Sequence, residues 1–280
     1  MTNASVGTDL ELAPRRADAP ARPSSPVSTG RSRAGLVWTL VRTDFKARYH
    51  GSLGGFVWAL LKPLSMFVVL MAVFSFLFAS NPTYKLDLIV GLFLWDFFAE
   101  ATKTGLVSLH AKGFLLTKAR FPSWILVVTS ISNAVITLGV FSVIMTLFLA
   151  AAGRAPSGQA LAFFMIYCFA LVVIVIGFSL ASSVLFLRYR DLNQVWDVAV
   201  QAGFFLAPII YPLGIIPERF HVYLYIWPPT PVIEFSRAVL VTGALPSMTA
   251  HVCLAIDAAI CLTIGLLVFG RFGPRAAEYL

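Results

Sequence analysis

Apolar residues gather into six long stretches, roughly 53–80, 87–111, 123–152, 159–187, 194–216 and 252–270, separated by short polar or proline-bearing turns. Each is long enough to cross a ~30 Å hydrocarbon core at about 1.5 Å per residue. The pattern therefore predicts an all-α integral membrane fold with six transmembrane helices in one bundle, residues 52–272, and a short basic tail, 273–280. Ahead of the bundle, residues 1–33 are rich in Pro, Ala, Ser and Arg with no apolar period, which predicts a disordered tail. The first apolar stretch begins too late for a cleavable signal peptide. Between 34 and 51 the pattern changes again. Val37, Trp38, Val41, Phe45 and Tyr49 recur at helical spacing, while Thr39, Arg42, Thr43 and Lys46 fill the other face. That is the pattern of an amphipathic helix at a membrane interface.

The fifth stretch departs from an ordinary span. The turn Arg188-Tyr189-Arg190-Asp191 leads into an apolar helix interrupted at Pro208 and again at Pro212. The segment after it, Pro217 to Pro231, is too polar to span and too apolar for a plain loop, and it ends in a short helix carrying Glu234 and Arg237. These two lie at i,i+3 and are expected to pair. Broken backbone at membrane depth persists only where protein or a water-filled cavity satisfies its polar groups, so the pattern points to a pathway.

Polar residues inside the other stretches are few. The second carries Asp96, Glu100 and Lys103, with Glu100 and Lys103 placed at i,i+3 to pair. Ionisable groups within a span face the bundle interior or water. Lys62-Pro63 sits about one third along the first stretch, where a lysine can snorkel to a headgroup region. Beyond it Phe67, Met71, Phe74 and Phe78 form one aromatic face, directed either to lipid or to a channel. The third and fourth stretches are scaffold by their blandness, and the sixth contains Asp257 and leads to the basic tail. Between the second and third, residues 111–122 read as a short basic helix; its Phe114, Leu115 and Leu116 suggest a docking surface, and Pro122 suits the first position of the next helix.

Composition agrees with the pattern: 59% hydrophobic, 12% charged, mean hydropathy +0.84. The net charge of +8 raises nucleic acid as a partner, but the positions of the charges argue for topology instead. With both termini cytoplasmic, eleven Lys and Arg from residue 34 onward fall on the inner side and four (Lys85, Arg154, Arg219, Arg237) on the outer. Cys168, Cys253 and Cys261 all lie inside apolar stretches and form no disulfide or metal framework. The four histidines are too far apart for metal-ligand spacing, and D-x-D, H-E-x-x-H, G-x-S-x-G and the phosphate-cradling G-x-x-x-x-G-K-[ST] are all missing from the sequence. A membrane-embedded transferase would need converging carboxylates or histidines. An ion-coupled transporter, using Asp96, Glu100, Lys103 and Asp257, would show repeated halves.

Taken in order, Arg48-Tyr49-His50-Gly51-Ser52-Leu53-Gly54 with Trp58 and Lys62-Pro63, then Gly91 to Phe98 with Glu100, Lys118-x-x-Phe121-Pro122, Arg188-x-Arg190-Asp191-Leu192, Pro208-Ile209-Ile210-Tyr211-Pro212 and Pro229-Thr230-Pro231 with Glu234 and Arg237, the chain resembles the permease subunits of ABC-2-type exporters of the polysaccharide and polyol-phosphate branch. The resemblance covers about residues 35–280 and implies roles. Phe114, Leu115, Lys118, Arg120, Phe121 and Pro122 would form a coupling helix that inserts into a separate ATPase subunit, present in two copies and carrying the ATP and Mg; this chain would hold no cofactor. Trp38, Arg42, Phe45 and Lys46 would belong to an interface helix on the same subunit and on membrane lipid. Two copies of the permease would enclose a channel in the cytoplasmic membrane, lined by Lys62, Phe67, Phe74, Phe204, Phe205 and Tyr211, with an outer gate built on Pro208, Pro212, Glu234 and Arg237. The cargo implied is a lipid-linked glycan, with a drug or small lipid as the alternative. The long Pro/Ala-rich tail and the charge at Lys62 depart from the family pattern.

Overall fold

A computed structural model describes residues 33–49, 54–118 and 122–273. Among these residues the chain is helical, with no strand. Nine α-helices follow in order: α1 Arg33–Tyr49, α2 Gly55–Phe74, α3 Tyr84–Lys118, α4 Trp124–Ala151, α5 Gly158–Arg188, α6 Leu192–Leu206, α7 His221–Tyr225, α8 Pro229–Arg237 and α9 Met248–Phe272. The expected tail lies outside the described residues.

Four of these helices, α2, α4, α5 and α9, are long and apolar enough to cross a membrane. The expected count was six. The two that fall short do so for different reasons. Helix α3 has 35 residues, about 52 Å at 1.5 Å each, but Asp87, Asp96, Glu100, Lys103 and Lys112 dilute its hydropathy. Helix α6 has only 15 residues. It ends ten residues before the expected boundary because Ala207, preceding Pro208, is extended (φ −69°, ψ 139°), as the ring of a following proline requires.

Local signals fix the other ends. Ser157 and Ser247 cap α5 and α9, accepting hydrogen bonds from the amides of Ala160 (3.1 Å) and Ala250 (3.2 Å). Gly153, just beyond α4, and Gly243, beyond the π-helical turn Ala238–Thr242 that extends α8, take the left-handed conformation that glycine reaches without a Cβ clash. Pro122 does not begin the next helix as its position suggested: it precedes Ser123, and α4 starts at Trp124.

The bundle is organised around α3 and α5. Helix α3 packs against both α4 and α5, and Phe93 stacks on Phe141 of α4 at 4.4 Å. The most extensive pairing is α5 with α9, a surface that sequence reading passed over. Its cause is small residues. A Cβ on Gly177 would collide with the backbone of Cys261, and one on Gly265 with the backbone of Gly177. Two backbones can approach this closely only where both lack side chains. Three of the hydroxyls that enter the apolar interior are satisfied by their own helix: Thr102, Ser130 and Ser142 donate to the carbonyls of Phe98, Leu126 and Leu138, at 2.7 to 2.8 Å.

Candidate functional site

The break after α6 leaves a run of backbone carbonyls without helical partners. The amide of Ile209 turns back to the carbonyl of Ala207 (2.7 Å), and five of the others are met by side chains. Tyr211 shares its hydroxyl hydrogen between the carbonyls of Phe205 (3.1 Å) and Leu206 (3.0 Å). Arg237 of α8 donates to the carbonyls of Pro208 and Ile209, the second at 2.9 Å. The hydroxyl of Tyr84, on the first turn of α3, donates to Ile210 at 2.9 Å. The broken segment is thus held open by protein, as irregular backbone inside a membrane protein requires.

Arg237 does more than cover this break. It is 7% exposed, and its fork also reaches the carbonyl of Asp87 on α3 (2.8 Å) and the carboxylate of Glu234 (2.8 Å). The expected Glu234–Arg237 pair therefore forms, inside a larger junction of α3, α8 and the break. Burying a guanidinium is tolerable here because fixed carbonyl dipoles and one carboxylate replace its water. The fit depends on Gly91: a Cβ there would sit 2.5 Å from the guanidinium Nη2. Beside the junction lies a cavity of about 240 Å³, lined by Tyr84, Asp87, Tyr211, Pro212, Glu234 and Thr242 among others.

An aromatic cluster seats the break from below. Trp227, just before α8, lies against Trp95 and Phe98 of α3 and Trp196 of α6, with ring centroids 5.9–6.3 Å apart. Gly203 makes room for it, since a Cβ there would meet the Trp227 ring at 2.6 Å. Trp196 donates its indole N–H to Thr102 at 3.1 Å. On the far side of the break, His251 of α9 donates from Nδ1 to the carbonyl of Ser247 (2.9 Å), which leaves Nε2 to accept from the hydroxyl of Tyr167 (2.8 Å).

The aromatic residues named as channel lining separate into two groups. Phe67 is 5% exposed and packs edge-on against Phe148 at 5.6 Å. Phe74 is half-buried and stacks on Phe78. Their shared face turns into the chain's own core, so neither lines an open surface. The opposite face of α2, with Trp58, Leu61, Val69 and Val73, is the exposed one. On α6, by contrast, Phe205 is 68% exposed, while Phe204 leans on Trp95 and Tyr211 is occupied by the carbonyls it caps. Sequence reading missed the companions of Phe205. Gln194, Val198 and Gln201 share its face at spacings of four, seven and eleven residues, and all are exposed. The seven-residue interval between the two glutamines was the available signal.

Glu100 and Lys103 of α3 do not pair with each other. Glu100 takes Arg48 from the end of α1, whereas Lys103 turns to Asp197 of α6 at 2.7 Å. The spacing allowed a Glu100–Lys103 pair, but partners from other helices satisfy each charge. A third bridge joins Lys112 to Asp44 of α1. Helix α1, which packs against α4, is thereby also tied to α3 at two points. Its packed side includes Leu40, Val41, Asp44, Phe45 and Tyr49, with Phe45 and Tyr49 in contact with Phe56. Arg42 and Lys46 are exposed as expected, but Trp38, placed on the apolar face by its spacing, is 68% exposed. Lys62 and Asp96 stand between two cavities, one of about 130 Å³ shared with Arg48 and Glu100 and one of about 420 Å³ reaching Trp95 and Phe204.

Of the residues expected to form a coupling helix, Phe114, Leu115 and Lys118 lie at the end of α3. This helix continues without a break to Lys118, so the segment beginning at Ala111 is its last two turns and not a separate helix. Phe114 is 58% exposed, and Leu115 packs toward Leu109, Leu126 and Leu187. Pro122 is half-buried. The side chain of Lys118, and Arg120 and Phe121, lie outside the described residues.

This arrangement has relatives. The O-antigen export system permease protein RfbA of Klebsiella pneumoniae is 27% identical over 246 residues, covering 88% of this chain and 95% of the relative. The protein of the same name from Myxococcus xanthus is 28% identical over 255 residues, or 87% and 95% of the two chains. The polysialic acid transport protein KpsM of Escherichia coli is 20% identical over 237 residues, or 83% and 92%. The family model described as ABC-2 type transporter matches residues 35–241, which include α1, the long α3 and the whole of the Arg237 junction. This chain belongs to the ABC-2 type transporter family.

Proposed function

We propose that this chain is the membrane permease subunit of an ABC exporter that moves a lipid-linked polysaccharide across the cytoplasmic membrane. The observation that carries the proposal is similarity over nearly the full length to permeases named for O-antigen export and polysialic acid transport. The architecture supports it. A short helix with an open face of two amides and an aromatic ring suits a glycan, whose hydroxyls hydrogen-bond to Gln194 and Gln201 while its ring faces stack on Phe205.

In this proposal α3 and α6 complete a six-span bundle with both termini cytoplasmic. Two copies of the chain pair so that the exposed faces of α2 and α6 enclose the pathway. Energy comes from ATP on two copies of a separate ATPase subunit, docked at the end of α3 around Phe114 and on α1. The permease needs no catalytic group of its own: the partner binds its alternative conformations with different affinity, and that difference shifts their populations. The junction around Arg237 then lies at the outer face as part of the gate.

The test is depletion of this chain in its native cell, followed by analysis of lipid-linked glycans. Accumulation of a completed lipid-linked polysaccharide on the cytoplasmic side is the expected outcome. Unchanged surface glycan and no accumulation would overturn the proposal.

A further inference from the structure

Three features meet on one element. Helix α3 runs unbroken for 35 residues, from Tyr84 to Lys118. At one end it carries Phe114 and is bridged to α1 through Lys112–Asp44 and Glu100–Arg48. At the other it supplies three groups to the break after α6: the hydroxyl of Tyr84 on the Ile210 carbonyl, the Asp87 carbonyl under Arg237, and the open space at Gly91. From Lys112 to Asp87 is 25 residues, about 38 Å along a helix. Helix α6, covalently continuous with the break, is bonded to it by the Ala207 amide on the Gly203 carbonyl (2.8 Å) and by the Tyr211 hydroxyl on the last carbonyls of α6.

We infer that Arg237 is a positioning residue that makes the broken segment, Ala207 to Pro212, move with α3 and not with α6. This rests on the transport proposal above and adds the route by which movement at one end of the bundle reaches the gate at the other. A packed, hydrogen-bonded junction moves as a body because interiors are dense and do not deform gradually. Arg237 binds two consecutive carbonyls of the break and one of α3 with a single planar group, so the distance between those elements is fixed by the span of a guanidinium. A lysine in its place keeps the charge but presents one ammonium on a flexible stem, without the planar fork that reaches several carbonyls at once.

The experiment uses the permease reconstituted with its ATPase, with Cys253 and Cys261 replaced by serine and spin labels placed in pairs. One pair joins Lys85 on α3 to Gly214 beyond the break; the other joins Val198 on α6 to Gly214. All three positions are exposed, and a Cβ on Gly214 meets nothing within 4 Å. Pulsed electron paramagnetic resonance then reads both distances without nucleotide and with a trapped ATP analogue. The Lys85–Gly214 distance is expected to stay fixed while Val198–Gly214 changes. A fixed Val198–Gly214 distance, or a change in Lys85–Gly214, overturns the inference.

Two variants add a readout that plain structural loss would not give. The glycan exported per ATP hydrolysed is expected to fall by about tenfold or more in R237K, which loses bonds of a charged group, and by about twofold to tenfold in Y84F, which loses one neutral bond, while ATP hydrolysis continues. Y84F keeps the ring and carries the test if R237K fails to fold. Wild-type coupling in Y84F together with folded R237K at wild-type coupling would also overturn the inference. Failure of the unmodified complex to export any glycan would instead sink the transport proposal, which keeps the two failures apart.

Discussion

The guanidinium of Arg237 occupies space that exists only because residue 91 has no side chain: a Cβ on Gly91 would lie 2.5 Å from Nη2. One residue on α3 and one on α8, 146 positions apart in sequence, thus define the floor of the junction that holds the break after α6. The neighbour that would have to give way is itself bonded to four oxygens, so it cannot swing aside without leaving buried carbonyls unpaired.

Gly91→Ala is accordingly expected to act at a distance from any pathway surface. Overpacking of this kind costs about 1–3 kcal/mol, and thermal unfolding of the purified protein should show the loss. Export should fall with it, and Gly91→Ser should be no better. A Gly91→Ala protein as stable as wild type would show that the junction is looser than its hydrogen bonds require.

Phe67 and Phe205 should respond in opposite ways to truncation. Phe67→Ala empties a buried site, which for a phenylalanine costs about 3–5 kcal/mol, so expression and thermal stability should drop. Phe205 is largely exposed, and Phe205→Ala should leave stability within about 0.5 kcal/mol while lowering export. Gln194→Leu and Gln201→Leu should follow Phe205. Export assays paired with melting curves on the same preparations decide the matter.

The bridges between α1 and α3 should govern coupling more than stability. Partly exposed pairs contribute only about 0–1 kcal/mol each, so Asp44→Lys alone should barely change the melting temperature. It should raise the ATP hydrolysed per glycan exported. The double variant Asp44→Lys with Lys112→Asp should restore the wild-type ratio, because the pair is rebuilt with its sign reversed. A double variant as poorly coupled as the single one would remove α1 from the route.

At the crossing of α5 and α9, size alone should decide. Gly177→Leu and Gly265→Leu force the two helices apart and should abolish folded protein. Gly139, whose Cβ direction is open, should accept leucine with little effect. Size-exclusion profiles of the three variants check this directly.

The break at Pro208 was legible from sequence because proline acts on its own neighbours, denying Ala207 a helical conformation whatever surrounds it. The Glu234–Arg237 pair was legible for the same local reason. Glu100 and Lys103 had equally good spacing, yet Arg48 and Asp197 from other helices took them; no periodicity within α3 could reveal that competition. The stripe Phe67, Met71, Phe74, Phe78 was visible as a stripe, but spacing fixes which residues share a face and not what the face meets. Gly91, Gly177, Gly203 and Gly265 left even less trace. Their importance lies in a side chain or backbone that comes from far along the chain. The open face of α6 could have been found, since Gln194 and Gln201 stand seven residues apart on one side of the helix.

The central claim is that this chain forms the path by which an ATPase partner exports a glycan. Reconstitution of the chain with that ATPase in proteoliposomes, loaded with the cell's own lipid-linked polysaccharide, measures it most directly. ATP-dependent appearance of the glycan on the opposite face of the membrane, reduced in Arg237→Lys and lost with a hydrolysis-deficient partner, is the expected result. Glycan transfer that proceeds without ATP or without this chain would contradict the claim.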